Sequence, residues 1–286
     1  MDWTQFDAMI QQAFSEDGAR NDATTNALVP PEIRCEAVMT AKQEGVLCGL
    51  GLAERVCTIF DQDLELMPIV SDGNRVATGR EVARFQGPAG SLLKVERTML
   101  NFLQRLSGVA SLTRAYVDAI EGTDAKILDT RKTTPGWRKL EKYAVRCGGG
   151  TNHRMGLDDM VLIKDNHLKL CAKGTHRKSV DEAIRISRDR APGLSIEVEV
   201  ENLDQLRRAL AAEPDYVLLD NLSPEKVNRA CELARSESPE RCPQLEASGA
   251  IDLKNVREYA EAGVDRISIG ALTHSAPSLD LSLNIS

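Results

Sequence analysis

The sequence predicts an α/β protein in two parts, and three observations carry that reading. From about residue 108 onward, apolar runs begin near Ile127, Val161, Ile196, Tyr216, Leu245 and Arg266, at intervals of 34, 35, 20, 29 and 21 residues. That is the beat of consecutive strand–loop–helix units. Amphipathic patterns fill the gaps, among them SVDEAIRISRDR, LDQLRRALAA, SPEKVNRACELAR and DLKNVREYAEAG. Ahead of residue 108 the pattern differs: three strand-like runs surround one helical run, as a small separate α/β layer would. Parallel strands joined by helices either close into a barrel or form an open doubly wound sheet, and the period alone does not choose between them.

Taken in order, Trp3, Phe6, Met9, Ile10, Ala13 and Phe14 recur at three- and four-residue steps and predict an amphipathic helix. The polar stretch NDATTNALVPPE is expected to break it. IRCEAVMTA, LELMPIV and RVATGREVARF read as strands and GLAERVCTIF as a helix. Pro88 and Gly90 introduce a long helical stretch whose stripe is Leu92, Leu93, Met99, Leu100, Leu103 and Leu106. Arg97 borders that stripe; read alone, it packs its stem and pairs with a nearby acid. Later helices are expected to start at the caps Ser179, Asn202, Ser223 and Asp252.

Composition sets limits. With 286 residues, 42% hydrophobic and 28% charged, the chain has ample material for a core. A net charge of −7 disfavours nucleic acid as a partner, because phosphate-backbone binding needs a broad positive surface. No apolar run approaches the roughly 18 residues of a membrane span, and the acidic, polar start MDWTQFDAMIQQAF is unlike a signal peptide. A cytoplasmic protein without membrane contact is expected. The seven cysteines (35, 48, 57, 147, 171, 231 and 242) are odd in number and include no CxxC, so they are expected to be reduced packing residues.

Within this acidic chain lies a cationic island. Residues 126 to 154 hold eight basic residues (Lys126, Arg131, Lys132, Arg138, Lys139, Lys142, Arg146, Arg154) against Asp129 and Glu141, a local balance of +6. The apolar runs end, in order, in Thr130-Arg131-Lys132, Lys164-Asp165, Glu199, Asp220-Asn221, Ser248-Gly249 and Gly270. Strand ends of α/β proteins are where chemistry is placed. Three cations with several acids suit a multiply charged small anion and a metal-bridged sugar diphosphate, while Ser and Gly at the late ends leave backbone N–H groups free to approach a phosphate. Ion pairs across the rim, such as Lys164 with Asp220, are the simpler alternative. Gly148, Gly149 and Gly150 read as a turn that aims His153 and Arg154, and His176 and His274 as structural or surface residues.

The order and spacing of TRKTTPG, LEKYAVRCGGGTNHR, LIKDNH, IEVEVEN, YVLLDN, LEASGAI and ISIGALTHSAPSLDLSL resemble the quinolinate phosphoribosyltransferase family over nearly the whole chain. The resemblance implies an incomplete, open α/β barrel (109–272) carrying the site, with a smaller N-terminal α/β sandwich (1–108) joined by the tail 273–286. It implies quinolinate and phosphoribosyl pyrophosphate as substrates, Mg2+ with the latter, and no organic cofactor. The dicarboxylate falls to Arg97, Arg131, His153, Arg154 and Lys164, with Lys132 nearby. Glu199 and Asp220 take the ribose and the metal; Thr130, Ser248, Gly249, Ala250, Ile269, Gly270 and Ala271 line the substrate pocket. Lys132, Lys164, Glu199 and Asp220 are the implied catalytic set. Arg97 is expected to reach the site of a second copy in a homodimer, and a dimer-based hexamer is left open. Ala250 departs from the pattern, standing where relatives often carry another small or polar residue.

Overall fold

The computed structural model describes residues 1–171 and 179–285, so His176 lies outside the described residues. Its two compact units are Met1–Arg114 with Tyr143–Gly149 and Ser275–Ser286, and Ala115–Lys142 with Gly150–His274.

In the first unit the Trp3-to-Phe14 pattern becomes a 3-10 turn, Thr4–Phe6, followed by α1 (Asp7–Asp17) with Ile10 and Phe14 buried. Gly18, in the left-handed region at φ 62°, ends it. The polar stretch that follows is more than a break. Asp22 accepts the backbone N–H groups of Thr24 and Thr25 and so starts a second short helix, α2 (Ala23–Leu28). Then come β1 (Arg34–Ala41), β2 (Gly45–Val46), α3 (Leu50–Phe60), β3 (Glu65–Pro68), β4 (Arg75–Val76) and β5 (Glu81–Pro88). The break expected near residue 108 falls inside one long helix, α4 (Ala89–Ala119).

β1 pairs antiparallel with β5 and with the C-terminal strand Leu281–Ile285, and β3 extends the sheet beyond β5. The tail can approach closely because residue 108 is glycine: a Cβ there would lie 1.9 Å from the Pro277 carbonyl oxygen. The buried faces of Met39, Val82, Phe85, Leu92, Met99 and Leu103 form this unit's core.

The second unit turns the six apolar runs into β6 (Lys126–Leu128), β7 (Val161–Ile163), β8 (Ile196–Val200), β9 (Tyr216–Asp220), β10 (Gln244–Ser248) and β11 (Arg266–Ser268). Between them lie α5 (Arg138–Cys147), α6 (Asp165–Leu170), α7 (Val180–Arg190), α8 (Leu203–Leu210), α9 (Pro224–Glu237) and α10 (Val256–Glu261), with the short α11 (Ala271–His274) after β11. Asn202 caps α8 through the Gln205 N–H. Asp252, expected to cap the next helix, instead heads a turn in which it accepts the Lys254 N–H, and α10 begins four residues later, at Val256.

All six strands are parallel, in the order β6-β11-β10-β9-β8-β7. β6 and β7 are edges that do not pair with each other, so this is the open barrel the family resemblance implies rather than a closed one. Among the described residues, no helix is long and apolar enough to cross a membrane.

Candidate active site

Because the strands are parallel and in register, their C-terminal ends meet at one rim; Ser248 lies beside both Asp220 and Ser268. The rim encloses a cavity of about 710 Å³. Thr130, Arg131, Lys132, His153, Arg154, Lys164, Glu199, Asp220, Ser248, Gly249, Ala250, Ile269, Gly270 and Ala271 all line it. Arg97 does not: it is an exposed residue of α4 in the first unit. Of the eight basic residues in the island, only Arg131, Lys132 and Arg154 reach the cavity.

Those three are the site's unspent charge. Among the described residues none of them forms an ion pair with a carboxylate. Arg131 has a buried Nε without a hydrogen-bond partner. Arg154 donates from Nη1 to the Met160 carbonyl at 2.9 Å, and burial followed by the nearby Arg131 charge lowers its proton affinity. Both observations describe cations that an anion would stabilise.

Lys164 pairs with Glu199 at 2.7 Å, not with Asp220. Asp220 accepts from Asn221 Nδ2 at 2.7 Å, and burial, then the adjacent Glu199 charge, raises its pKa above the ordinary aspartate value. Two carboxylates that repel each other at an open rim offer hard oxygens to a divalent cation, and they fit Mg2+ provided a ligand's oxygens complete the shell.

Beneath the rim lies a buried polar floor that sequence reasoning missed. Asp129 and Lys142, both fully buried, form an ion pair. Lys142 Nζ also donates to the His153 carbonyl at 2.8 Å, and Asp129 accepts the His153 N–H at 2.9 Å and Asn152 Nδ2 at 2.5 Å. Lys142 therefore ties down the loop that follows Gly148–Gly150 and is not part of the anion pocket.

His153 has both ring nitrogens engaged. Nδ1 accepts the Arg154 N–H at 2.8 Å, while Nε2 faces Glu197 at 3.0 Å and Glu246 at 3.4 Å. Burial alone would disfavour imidazolium, but the two close carboxylates outweigh it and push the ring up to about 9. The Arg154 N–H works against them, because protonating Nδ1 must displace that bond. Burial raises Glu197, and Arg266 Nε holds Glu246 at 3.0 Å while stacking over Tyr216. A glutamate flanked by apolar residues inside a strand, Glu197 in IEVEV and Glu246 in QLEAS, was the available signal.

The rim after β10 and β11 is built from small residues. Gly249 (φ 98°) and Ala250 (φ 50°) follow β10 in the left-handed region, and a Cβ on Gly249 would lie 2.2 Å from Asn221 Oδ1. At Gly270 it would lie 2.9 Å from Lys132 Cδ and 3.1 Å from His274 Nε2. His274, read from sequence as structural or surface, thus lines the cavity one helical turn after Gly270. The four-residue offset was its signal.

An open barrel with chemistry gathered at its strand ends, where cations lacking carboxylate partners stand beside glycine turns, defines an enzyme that handles polyanionic small molecules. Within that class, the chain belongs to the quinolinate phosphoribosyl transferase family. The family's N-terminal domain matches residues 22–107 and its C-terminal domain residues 109–284. The chain is 44% identical to the nicotinate-nucleotide pyrophosphorylase [carboxylating] of Mycobacterium leprae, over 98% of both chains. It is 40% identical to the probable enzyme of that name from Bacillus subtilis, over 100% of this chain and 95% of the relative. The crystal structure of NadC from Streptococcus pyogenes superposes with a TM-score of 0.92 at 40% identity, covering 100% of this chain and 98% of the other.

Proposed function

We propose that the chain transfers phosphoribosyl from phosphoribosyl pyrophosphate to the ring nitrogen of quinolinate with loss of the adjacent carboxylate, giving nicotinate mononucleotide, pyrophosphate and CO2 for NAD synthesis. The observation that carries this reading is the group of cavity cations lacking carboxylate partners, Arg131, Lys132 and Arg154. A ligand with two adjacent carboxylates supplies what they lack, each charge-assisted hydrogen bond contributing roughly 1.5–3 kcal/mol.

In this reading Arg131, Arg154 and Lys164 orient the dicarboxylate, and Lys132 stands between it and the diphosphate. His153 forms part of the wall, and its contact with the dicarboxylate requires a ring nitrogen to exchange one of its present partners. Ser248, Gly249, Ala250, Ile269, Gly270 and Ala271 receive the 5′-phosphate. Glu199 and Asp220 hold the ribose hydroxyls and, with substrate oxygens, would hold Mg2+, which when bound neutralises charge on the departing pyrophosphate. As the ring nitrogen attacks the anomeric carbon the sugar gains cationic character, which the two acids stabilise; positioning and electrostatics supply most of the acceleration. Once ribosylated, the positive ring nitrogen stabilises the carbanion left on the adjacent carbon as its carboxylate departs as CO2, and a proton then takes the carboxylate's place on that carbon, so no organic cofactor is needed.

The proposal includes a homodimer in which the exposed Arg97 completes the partner's site, and a cytoplasmic location. A coupled assay for pyrophosphate release tests it: turnover should require quinolinate, phosphoribosyl pyrophosphate and Mg2+ together. No release with quinolinate present would overturn it.

A further inference from the structure

The thiols of Cys48 and Cys147, far apart in sequence, meet inside the first unit. Their sulfurs and a carboxylate oxygen of Asp72 all lie within 4.8 Å of one another. Cys48 is buried just before α3 and Cys147, half-buried, is the last residue of α5. The surrounding groups hold this arrangement. Asp72 Oδ1 accepts the Gly49 and Leu50 N–H groups at 2.9 and 3.0 Å, and its Oδ2 accepts from the Tyr143 hydroxyl at 2.8 Å. The Cys48 backbone N–H donates to Ser107 Oγ at 2.9 Å. Nothing in the proposed reaction uses this pair.

We propose that Cys48 and Cys147 form a reversible disulfide, with Cys147 as the thiol that attacks the oxidant and Cys48 as the resolving thiol. The two differ in the required sense. The neighbouring Cys48 thiol, against partial burial, lowers Cys147 below the ordinary thiol value, while burial raises Cys48 well above it. Cys147 is also the more exposed of the two. With hydrogen peroxide as oxidant, the Cys147 thiolate attacks one peroxide oxygen, the O–O bond breaks and hydroxide leaves, giving a sulfenic acid. Cys48 sulfur then attacks that sulfur, the S–O bond breaks, and the proton from Cys48 departs with the hydroxyl as water. In sum, two thiols and one peroxide give one disulfide and two waters.

The test is peptide mapping of the intact chain after brief treatment with hydrogen peroxide, without reductant. The expected result is one cross-linked pair of peptides carrying Cys48 and Cys147, two hydrogens lighter than the separate peptides and released by dithiothreitol. Cys48→Ser should lose the cross-link and leave Cys147 as a sulfenic acid trapped by a cyclic 1,3-diketone. If Cys48→Ser does not fold, the native map still decides. The proposal is overturned if Cys48 and Cys147 stay reduced while the exposed Cys171 and Cys242 are oxidised, or if Cys147 is oxidised without joining Cys48.

Discussion

Lys142 and Asp129 form an ion pair from which water is wholly excluded, and the same two side chains hold His153 by its carbonyl and its N–H. The pair thereby fixes the end of the strand that carries Arg131 to the loop that carries Arg154. Removing one partner leaves a bare charge in the interior. Lys142→Met should cost about 3–5 kcal/mol of stability in urea unfolding. The double change with Asp129→Leu should recover part of that loss, since it removes the stranded charge. A single variant as stable as the native chain would show that the pair is not needed to keep the loop in place.

His153 supplies a pH test. Its folded pKa, about 9, stands above the ordinary 6.5. The sign follows: the folded chain holds this proton more tightly, so the contribution to stability is complete below about 6.5 and disappears as pH rises through about 9. Glu246→Gln should flatten the loss of stability across that window. An NMR titration should find the ring titrating near 9, with the Arg154 amide moving in step. A native ring titrating near 6.5 would contradict the role given to Glu197 and Glu246.

Gly249→Ala places a Cβ against Asn221 Oδ1 in a backbone region that disfavours side chains by roughly 1–2 kcal/mol. The apparent KM for phosphoribosyl pyrophosphate should rise at least about tenfold, an effect of ~1.4 kcal/mol, with little change for quinolinate. Equal effects on both substrates would dissociate this turn from phosphate.

Arg97 and Lys164 test the assembly. Arg97→Ala and Lys164→Ala should each abolish measurable turnover, and mixing the two inactive chains should restore part of it, because one site of each mixed dimer has both residues. No recovery after verified subunit exchange would place Arg97 outside the site.

Much of this was legible in the sequence. A strand buried on both faces reads as an apolar run, which is why the start read at Tyr216 coincides with β9. Rim residues were legible because each run stops at a polar side chain or a glycine. The remainder depended on partners that spacing does not reveal. Lys142 counts as one more positive charge until Asp129 is found beside it, and Glu197 looks like strand polarity until Glu246 and His153 close around it. Cys48 and Cys147, read as packing residues, become a pair only in the fold.

Substrate choice tests the central claim most directly. Nicotinate offers one carboxylate where quinolinate offers two, so it would leave half-buried cavity cations without a partner; each charge-assisted hydrogen bond lost costs roughly 1.5–3 kcal/mol, a factor of about 10–100. The measurement is simultaneous release of pyrophosphate and labelled CO2 from quinolinate carrying isotope in its 2-carboxylate, with nicotinate as the competing acceptor. Equal release of the two products from quinolinate, and near inertness toward nicotinate, is the predicted result. Comparable turnover of nicotinate, or pyrophosphate released without CO2, would contradict it.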